Sequence, residues 1–254
     1  MKHPLLPFLT AVVLFPVALF AAPLGVDGLR CEGVNEPGQI ETAAPRFSWR
    51  LVAQERDIRQ VAYQFHAAEI DGNGHELGTV FETARIATEE SQWVTPPGFQ
   101  AKPRSAYAWR VRVWDNHGAA SDWSAPQTFG TGLIGTPWPA DWVGDGRSLE
   151  RFQTAPARYF RGGFKLDHRP VRARLYVSAM GLVEPWLNGS QVTRDLFLPG
   201  WPDYRRRLFY AAYDITALLR DGENTLGLIL GDGWYSGTMI PRHQYGPEAT
   251  CSAF

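Results

Sequence analysis

The sequence has few cysteines and almost no net charge. Only two cysteines, Cys31 and Cys251, occur in 254 residues, which excludes a small domain held together by a disulfide framework. They fall in different predicted domains, so we expect two unpaired thiols. The formal net charge of −1 gives no electrostatic reason to expect a nucleic-acid partner or an acidic membrane surface. Potential zinc ligands are not clustered, and we predict no metal-binding residues.

Long apolar runs are absent after the first 22 residues. The run Leu5–Phe20 follows Lys2 and is followed by the small residues Ala21 and Ala22. This pattern predicts a secretory signal peptide over residues 1–21. Two prolines interrupt the run and no basic flank stops its transfer, so we expect no membrane span in the mature chain. The predicted location is secreted or periplasmic.

Apolar residues recur at every second position in the first half of the chain. The clearest runs are 47–51, 61–67 and 107–113. Such alternation predicts strands with one buried face, and about seven short strands in a hundred residues predict an immunoglobulin-like sandwich. The segment 107–115, followed by the Trp-Ser pair at 123–124, resembles a fibronectin type III domain. We assign residues 23–133 to this domain.

Glycine and proline then mark a boundary, and we assign residues 134–148 to a linker. Trp138 and Trp142 are expected to fix this linker to a sandwich surface. Residues 149–254 show renewed alternation and predict a second, jelly-roll β-sandwich. We count about six strands where a jelly roll needs about eight, and the tail after Gly246 does not resemble a strand. The expectation is therefore an all-β chain whose second domain is incomplete, with an unpaired edge.

A series of short motifs in this second region carries a family resemblance. The motifs occupy 157–161, 175–181, 186–189, 199–204, 213–216 and 230–237. Together with 45–49, 60–67 and 107–115, they resemble the N-terminal region of bacterial α-L-rhamnosidases. The resemblance implies a fibronectin-like domain, a jelly-roll carbohydrate-binding domain, further β elements and a helical barrel. In the family, that barrel carries the carboxylates that hydrolyse terminal α-L-rhamnosides with inversion.

Catalytic residues are not expected in this chain. Inverting hydrolysis needs two carboxyl groups about 6.5–9.5 Å apart. Glu89 and Glu90 are adjacent on a loop-like stretch and would diverge, while Asp203 and Asp232 lie on a predicted sandwich with no helical pocket around them. We therefore expect the catalytic domain to be absent and the chain to be inactive as an enzyme by itself.

A sugar-binding site is the main functional candidate. Sugar recognition needs flat aromatic faces and a few fixed polar groups. We predict Trp201, Tyr204 and Trp234 as aromatic platforms, with Asp203 and Asp232 accepting hydrogen bonds from sugar hydroxyls. The alternative is structural: the tryptophans cover one end of the sandwich, and Asp203 caps its own loop. Likewise Asn188, in an Asn-Gly pair, is expected to form a hairpin turn.

The resemblance also implies that some members of the family bind rhamnose through a calcium ion. An acidic or amide pair holds that ion, and this pair falls just after the strand ending at Ser178. This chain has Ala179, Met180 and Gly181 there, none with a side-chain oxygen. Calcium prefers six to eight oxygen ligands, so we expect no cofactor; calcium near Asp232 is the remaining alternative.

Three functions stay open at this point. The first is the secreted N-terminal portion of an α-L-rhamnosidase-like glycoside hydrolase, which binds substrate or supports a missing catalytic barrel. Its partners would be a rhamnosylated glycan and that barrel. The second is a free-standing carbohydrate-binding protein, and the third is a fibronectin-type scaffold without a sugar role.

Overall fold

The computed structural model describes residues 24–147, 155–238, 245–246 and 248–254. The predicted signal peptide lies outside these residues. Nearly all of the regular secondary structure in the described chain is antiparallel strand, as the alternation predicted. None of its described helices is long and apolar enough to cross a membrane.

The first group of strands forms one sandwich. Its strands are β1 (Gly25–Cys31), β2 (Phe47–Val52), β3 (Gln60–Ile70), β4 (Glu76–Glu82), β5 (Ile86–Ala87), β6 (Ala106–Asp115) and β7 (Gln127–Gly130). Strands β1 and β2 pair with each other, and β4-β3-β6-β7 form the second sheet, with β5 beside β3. Aromatic rings fill the space between them: the Phe47 ring lies 4.5 Å from Trp109 and 4.7 Å from Phe65.

Strand β3 departs from the expected pattern because both of its faces are covered. Gln64 and His66, predicted on the polar face, are buried as well as Tyr63 and Phe65. Trp123 accounts for part of this cover, since its ring lies 6.0 Å from that of His66. The guanidinium group of Arg112 lies 5.0 Å from the same tryptophan ring and donates to Gln64 over 2.8 Å. A layer of arginine and tryptophan therefore shields this face from water.

The second group of strands forms a sandwich of two sheets. Its strands are β8 (Arg158–Leu166), β9 (Arg174–Met180), β10 (Leu182–Leu187), β11 (Ser190–Gln191), β12 (Tyr210–Asp214), β13 (Gly222–Gly231) and β14 (Thr250–Ala253). One sheet has the order β11-β10-β13-β8 and the other β12-β9-β14. Val177, Val183, Leu228 and Leu230 form the core between them. A 3₁₀ turn, Thr216–Leu218, and a short helix α1, Gly233–Ser236, interrupt the strands.

The Asn-Gly pair forms the predicted hairpin turn. Asn188 and Gly189 have φ values of 52° and 83°, the left-handed pair that a type I′ turn requires. The side chain of Asn188 also accepts a hydrogen bond from the Thr225 amide over 2.9 Å and so ties the hairpin to β13. In the described structure, Asn188 thus forms the hairpin turn and attaches it to β13.

The tail after Gly246 is a strand, which corrects the expectation from sequence. Strand β14 pairs with β9 in register Cys251↔Ala179, and Ala249 and Cys251 are fully buried in the core. The sequence signal was weak because the inward side chains of this strand are small. Cys31 and Cys251 are both buried and free, and burial raises the pKa of each thiol to about 12.

The linker packs on the second sandwich, as the tryptophans predicted. The indole of Trp138 donates to the Ser252 hydroxyl over 2.8 Å, and its ring lies 4.8 Å from Phe254. Val143 exchanges two backbone hydrogen bonds with Cys251 of the edge strand β14. These bonds satisfy backbone groups at an edge of the second sandwich that was expected to be unpaired. Tyr176 is buried, and Phe254 stacks on its ring at 5.0 Å.

The two sandwiches contact each other directly around Glu41. The hydroxyl of Tyr210, on β12, donates to the Glu41 carboxylate and accepts a hydrogen bond from the Leu133 amide over 2.9 Å. The same carboxylate accepts from the Ile134 amide over 3.1 Å. Gly132 lies so close to these groups that a Cβ atom there would collide with both Glu41 and Tyr210. A side chain at this position would therefore have to displace the ends of the Glu41 and Tyr210 side chains that join the two sandwiches.

Candidate functional site

Three aromatic side chains come together at one end of the second sandwich. Trp201 lies in the loop after β11 and Trp234 in α1, and their rings are parallel, with an interplanar angle of 2° and centroids 5.6 Å apart. Phe197 lies 5.8 Å from Trp234 at 51°. We call these three residues the aromatic patch. Phe197 and Trp201 are 63% and 47% exposed, so the patch is open to solvent.

Backbone geometry places the two tryptophans. The loop is anchored by Leu198, which is buried and whose carbonyl accepts from the Val183 amide over 2.9 Å. Before Trp234, Gly233 has a φ of 53°, and a Cβ atom there would lie 2.7 Å from the Leu182 side chain. Only glycine allows this tight entry into α1. The Gly-Asp-Gly-Trp motif therefore orients Trp234.

Asp232 is held in a buried ion pair. Its Oδ1 atom lies 2.7 Å from the guanidinium group of Arg158, and its Oδ2 atom accepts from the Ala155 amide over 3.3 Å. The side chains of Arg158 and Asp232 are only 2% and 10% exposed. Asp145 lies on the other side, with its Oδ2 atom 3.1 Å from the Arg158 Nε atom. Both oxygens of Asp232 are thus engaged by the protein itself.

Opposing effects act on the pKa of Arg158. Burial lowers it, but the hydrogen bond and the charge of Asp232, with the charge of Asp145, outweigh burial and raise it. The guanidinium group therefore stays charged between two carboxylates. The sequence held one signal for this pair: an arginine alternating with Phe160 on the inward face of β8 needs an acidic partner.

Asp203 shapes its own turn. Its Oδ1 atom accepts from the Arg205 amide over 3.2 Å, and its backbone carbonyl accepts from the Arg206 and Arg207 amides. Its side chain is 52% exposed and its Oδ2 atom lies 3.6 Å from the Arg206 Nε atom. The local cap is therefore present, and the second carboxylate oxygen lies near Arg206 of the same turn.

Tyr204 belongs to a second aromatic group. Its ring lies 5.1 Å from Tyr235 and 5.0 Å from Tyr245. Its hydroxyl is buried without a hydrogen-bond partner in the described part of the chain. Burial, followed by the charges of Tyr245 and Tyr235, raises the pKa of Tyr204 to about 12. A buried hydroxyl of this kind is not positioned to meet a sugar.

The structure thus brings two of the five predicted residues, Trp201 and Trp234, into one exposed surface and places the others beside it in local roles. Sequence reasoning missed Phe197, whose only signal was its place in the Leu-Phe-Leu-Pro-Gly loop. The position where the resemblance implied calcium ligands holds Ala179, which is buried in β9. The described residues contain no group of three or more potential metal-ligating His, Cys, Asp or Glu side chains.

Comparison with protein families identifies both sandwiches. The family described as the Rha78A-like, N-terminal immunoglobulin domain matches residues 26–135, and the α-L-rhamnosidase N-terminal domain matches residues 168–253. Among curated proteins, an α-L-rhamnosidase of Alteromonas sp. (strain LOR) is 32% identical over 82% of this chain, and one of Formosa agariphila is also 32% identical over 82%. The alignments cover 24% and 23% of those proteins, so the chain spans about a quarter of their length.

Solved structures give the same result. The α-L-rhamnosidase from Dictyoglumus thermophilum superposes with a TM-score of 0.75 and 28% identity, covering 92% of this chain and 27% of that one. The enzyme from Aspergillus terreus superposes with a TM-score of 0.73 and 27% identity, covering 91% of this chain and 27% of that one. The chain therefore consists of the two domains that the family models assign to the N-terminal region of α-L-rhamnosidases.

Proposed function

We propose that this chain is the secreted or periplasmic N-terminal portion of an α-L-rhamnosidase-like glycoside hydrolase, and that its second domain binds rhamnose-containing glycans through the aromatic patch. The relatives named above are α-L-rhamnosidases about four times as long as the aligned part of this chain. In this proposal the chemistry belongs to a catalytic domain that lies outside these 254 residues.

The observation that carries the binding proposal is the exposed stacked pair Trp201–Trp234. Trp234 covers one face of the Trp201 ring, yet Trp201 remains 47% exposed, which leaves its other face accessible. Aromatic rings of this kind present a flat apolar surface to the C–H side of a sugar ring. Stacking also preorganises Trp201, so that little side-chain entropy is lost on binding.

A supporting role for the same surface is the second candidate. Leu196 and Phe197 are 75% and 63% exposed beside the tryptophans, and contiguous apolar surface of this kind is typical of protein interfaces. In that case the patch packs against another domain of the longer enzyme and no sugar binds to it.

Titration calorimetry of the full chain with L-rhamnose and a rhamnosylated disaccharide separates these candidates. We expect Trp201→Ala to weaken binding by about tenfold or more, since a stacking surface is lost. Trp93→Ala is the matched control, because Trp93 is 53% exposed and lies in the first domain. Wild-type protein that binds neither sugar, or equal losses for both variants, would favour the supporting role.

A further inference from the structure

A groove crosses the outer face of the sheet β11-β10-β13-β8, away from the core. It has a volume of about 530 Å³. Its lining includes aromatic residues, arginines and glycine, among them Tyr159, Trp186, Arg161, Arg220 and Gly227. We call it the sheet groove. None of these residues belongs to the aromatic patch.

Strand register explains why the groove exists. On the middle strand, β13, Gly227 pairs with Trp186 of β10 on one side and with Arg161 of β8 on the other. Paired residues of an antiparallel sheet project from the same face, so a row of tryptophan, glycine and arginine crosses the sheet. The missing side chain at Gly227 leaves a depression between an aromatic wall and a cationic wall.

The next row extends the same surface. Ile229 pairs with Tyr159 on β8 and with Glu184 on β10. Tyr159 is 77% exposed, which is unusual for a tyrosine on a regular strand. Glu184 accepts a hydrogen bond from the Trp186 indole over 2.7 Å and so fixes the orientation of that ring. The groove thus has one exposed aromatic wall, Tyr159, and one that a hydrogen bond holds in place, Trp186.

The arginines of the groove have no acidic partner. In the described part of the chain, no carboxylate lies within 4.0 Å of Arg161 or Arg220, whereas Arg158 on the inward face of the same strand is paired twice. Both groove arginines are exposed. Two free guanidinium groups beside aromatic walls are complementary to an anionic group on a sugar.

We propose that the sheet groove binds an anionic oligosaccharide. One sugar ring lies against Trp186 and Tyr159 above Gly227, and its carboxylate or sulfate group accepts hydrogen bonds from Arg161 and Arg220. This site is separate from the aromatic patch and does not depend on the function proposed for it.

Binding of three tetrasaccharides to the full chain tests the proposal by calorimetry. The probes are tetragalacturonate, its methyl-esterified neutral form, and a sulfated carrageenan tetrasaccharide. We expect at least one charged probe to bind about tenfold more tightly than the neutral one, and this preference to shrink as salt rises from about 20 to about 500 mM. Which charged probe binds tells carboxylate from sulfate recognition.

Four variants locate the binding. Arg161→Gln removes one donor group, and Gly227→Thr fills the depression; a Cβ atom at Gly227 would lie 3.5 Å from that of Trp186, an ordinary contact, so the strand is preserved. Each is expected to weaken charged-probe binding by about tenfold. Two controls should bind the charged tetrasaccharides as wild type does: Lys165→Gln, which removes a positive charge from the same face of β8 about 13 Å away, and Trp201→Ala, which alters only the aromatic patch.

Three results would overturn the proposal. They are equal affinity for charged and neutral probes, absence of binding to all three, and charged-probe binding that Gly227→Thr and Arg161→Gln leave intact. Loss of rhamnose binding in Trp201→Ala bears only on the aromatic patch, so the two proposals fail separately.

Discussion

The Tyr210 hydroxyl donates a hydrogen bond to the Glu41 carboxylate, 169 residues away in sequence, and this contact joins the two sandwiches. Burial, followed by the hydrogen bond to Glu41, raises the pKa of Tyr210. The Leu133 amide, at the end of the first domain, donates to the same tyrosine oxygen, so Glu41, Leu133 and Tyr210 form one hydrogen-bonded cluster between the two sandwiches. The relative position of the two domains therefore depends on these specific side chains.

Tyr210→Phe removes the hydroxyl that takes part in this cluster. It removes the hydrogen bond to Glu41 and the shorter of the two acceptors of the Leu133 amide, which keeps only the Glu41 carboxylate at 3.3 Å, and we expect the free energy of unfolding to fall by about 1 kcal/mol. Urea denaturation of the full chain measures this. Tyr159→Phe, at a side chain that is 77% exposed, is the control and should be neutral. Equal stability of the two variants would mean that the domains are held together by other contacts.

Local patterns in the sequence predicted the strands because burial on a sheet repeats every two residues. They predicted the Asn188–Gly189 turn because only a pair tolerant of positive φ closes it. They could not reveal that Phe254 and the linker cover the Tyr176 face, since that cover comes from distant segments. Nor could they reveal that Arg158 contacts Asp232, because the two residues are 74 positions apart in sequence.

The candidate site was predictable in its aromatic part only. Exposed tryptophans beside glycine turns suggested Trp201 and Trp234, and the structure stacks them. For the acids, the sequence shows that Asp232 stands between two glycines but not that Arg158 faces it. The sheet groove was invisible for a related reason: it arises from the register of three strands, which places Gly227 between Trp186 and Arg161.

Tyr204→Phe should stabilise the protein. The hydroxyl of Tyr204 is buried and unpaired in the described residues, so its removal relieves a desolvation cost of about 1 kcal/mol at neutral pH. Tyr213→Phe is the matched opposite, because that hydroxyl donates to Asp195 over 2.8 Å and its loss should destabilise. Thermal melts at neutral pH compare the two variants. Destabilisation by Tyr204→Phe would reveal a partner for its hydroxyl.

Tyr204 and Tyr213 also predict that the protein loses stability at alkaline pH. The pKa values of Tyr204 and Tyr213 are raised to about 12, above the value of about 10 for a tyrosine in an unfolded chain. A raised pKa contributes stability that is fully present below pH about 10 and is lost as the pH rises towards 12. The free energy of unfolding of either phenylalanine variant should therefore fall less than that of wild type as the pH rises from about 10 to about 12. An equal fall in variant and wild type would contradict this prediction.

The full chain should release no chromophore from 4-nitrophenyl α-L-rhamnopyranoside. Hydrolysis needs an acid and a base on opposite sides of the glycosidic bond, whereas Asp232 is bound to Arg158 and Asp203 shapes its own turn. Absorbance over a day of incubation, against buffer and heat-treated protein, measures release. Turnover above both controls that is lost in Asp203→Asn would place catalysis within these two domains.

Asp232→Asn separates a structural role for this acid from a sugar-binding one. The substitution leaves the Arg158 guanidinium group, 2% exposed, with Asp145 as its remaining charged partner. Removing one partner of a buried pair leaves a poorly compensated charge, and we expect a loss of roughly 3 kcal/mol in unfolding free energy. Adding Arg158→Met removes that charge and should recover much of the loss, as urea denaturation of the single and double variants would show.

Sugar binding by the same variants completes the test. Because both Asp232 oxygens contact Arg158 and the Ala155 amide, the folded Asp232→Asn protein should bind rhamnose as wild type does at a temperature well below its transition. Trp201→Ala should show the opposite behaviour, with weakened binding and nearly unchanged stability, since its ring is 47% exposed. An Asp232→Asn variant of wild-type stability that no longer binds rhamnose would make this carboxylate a sugar ligand after all.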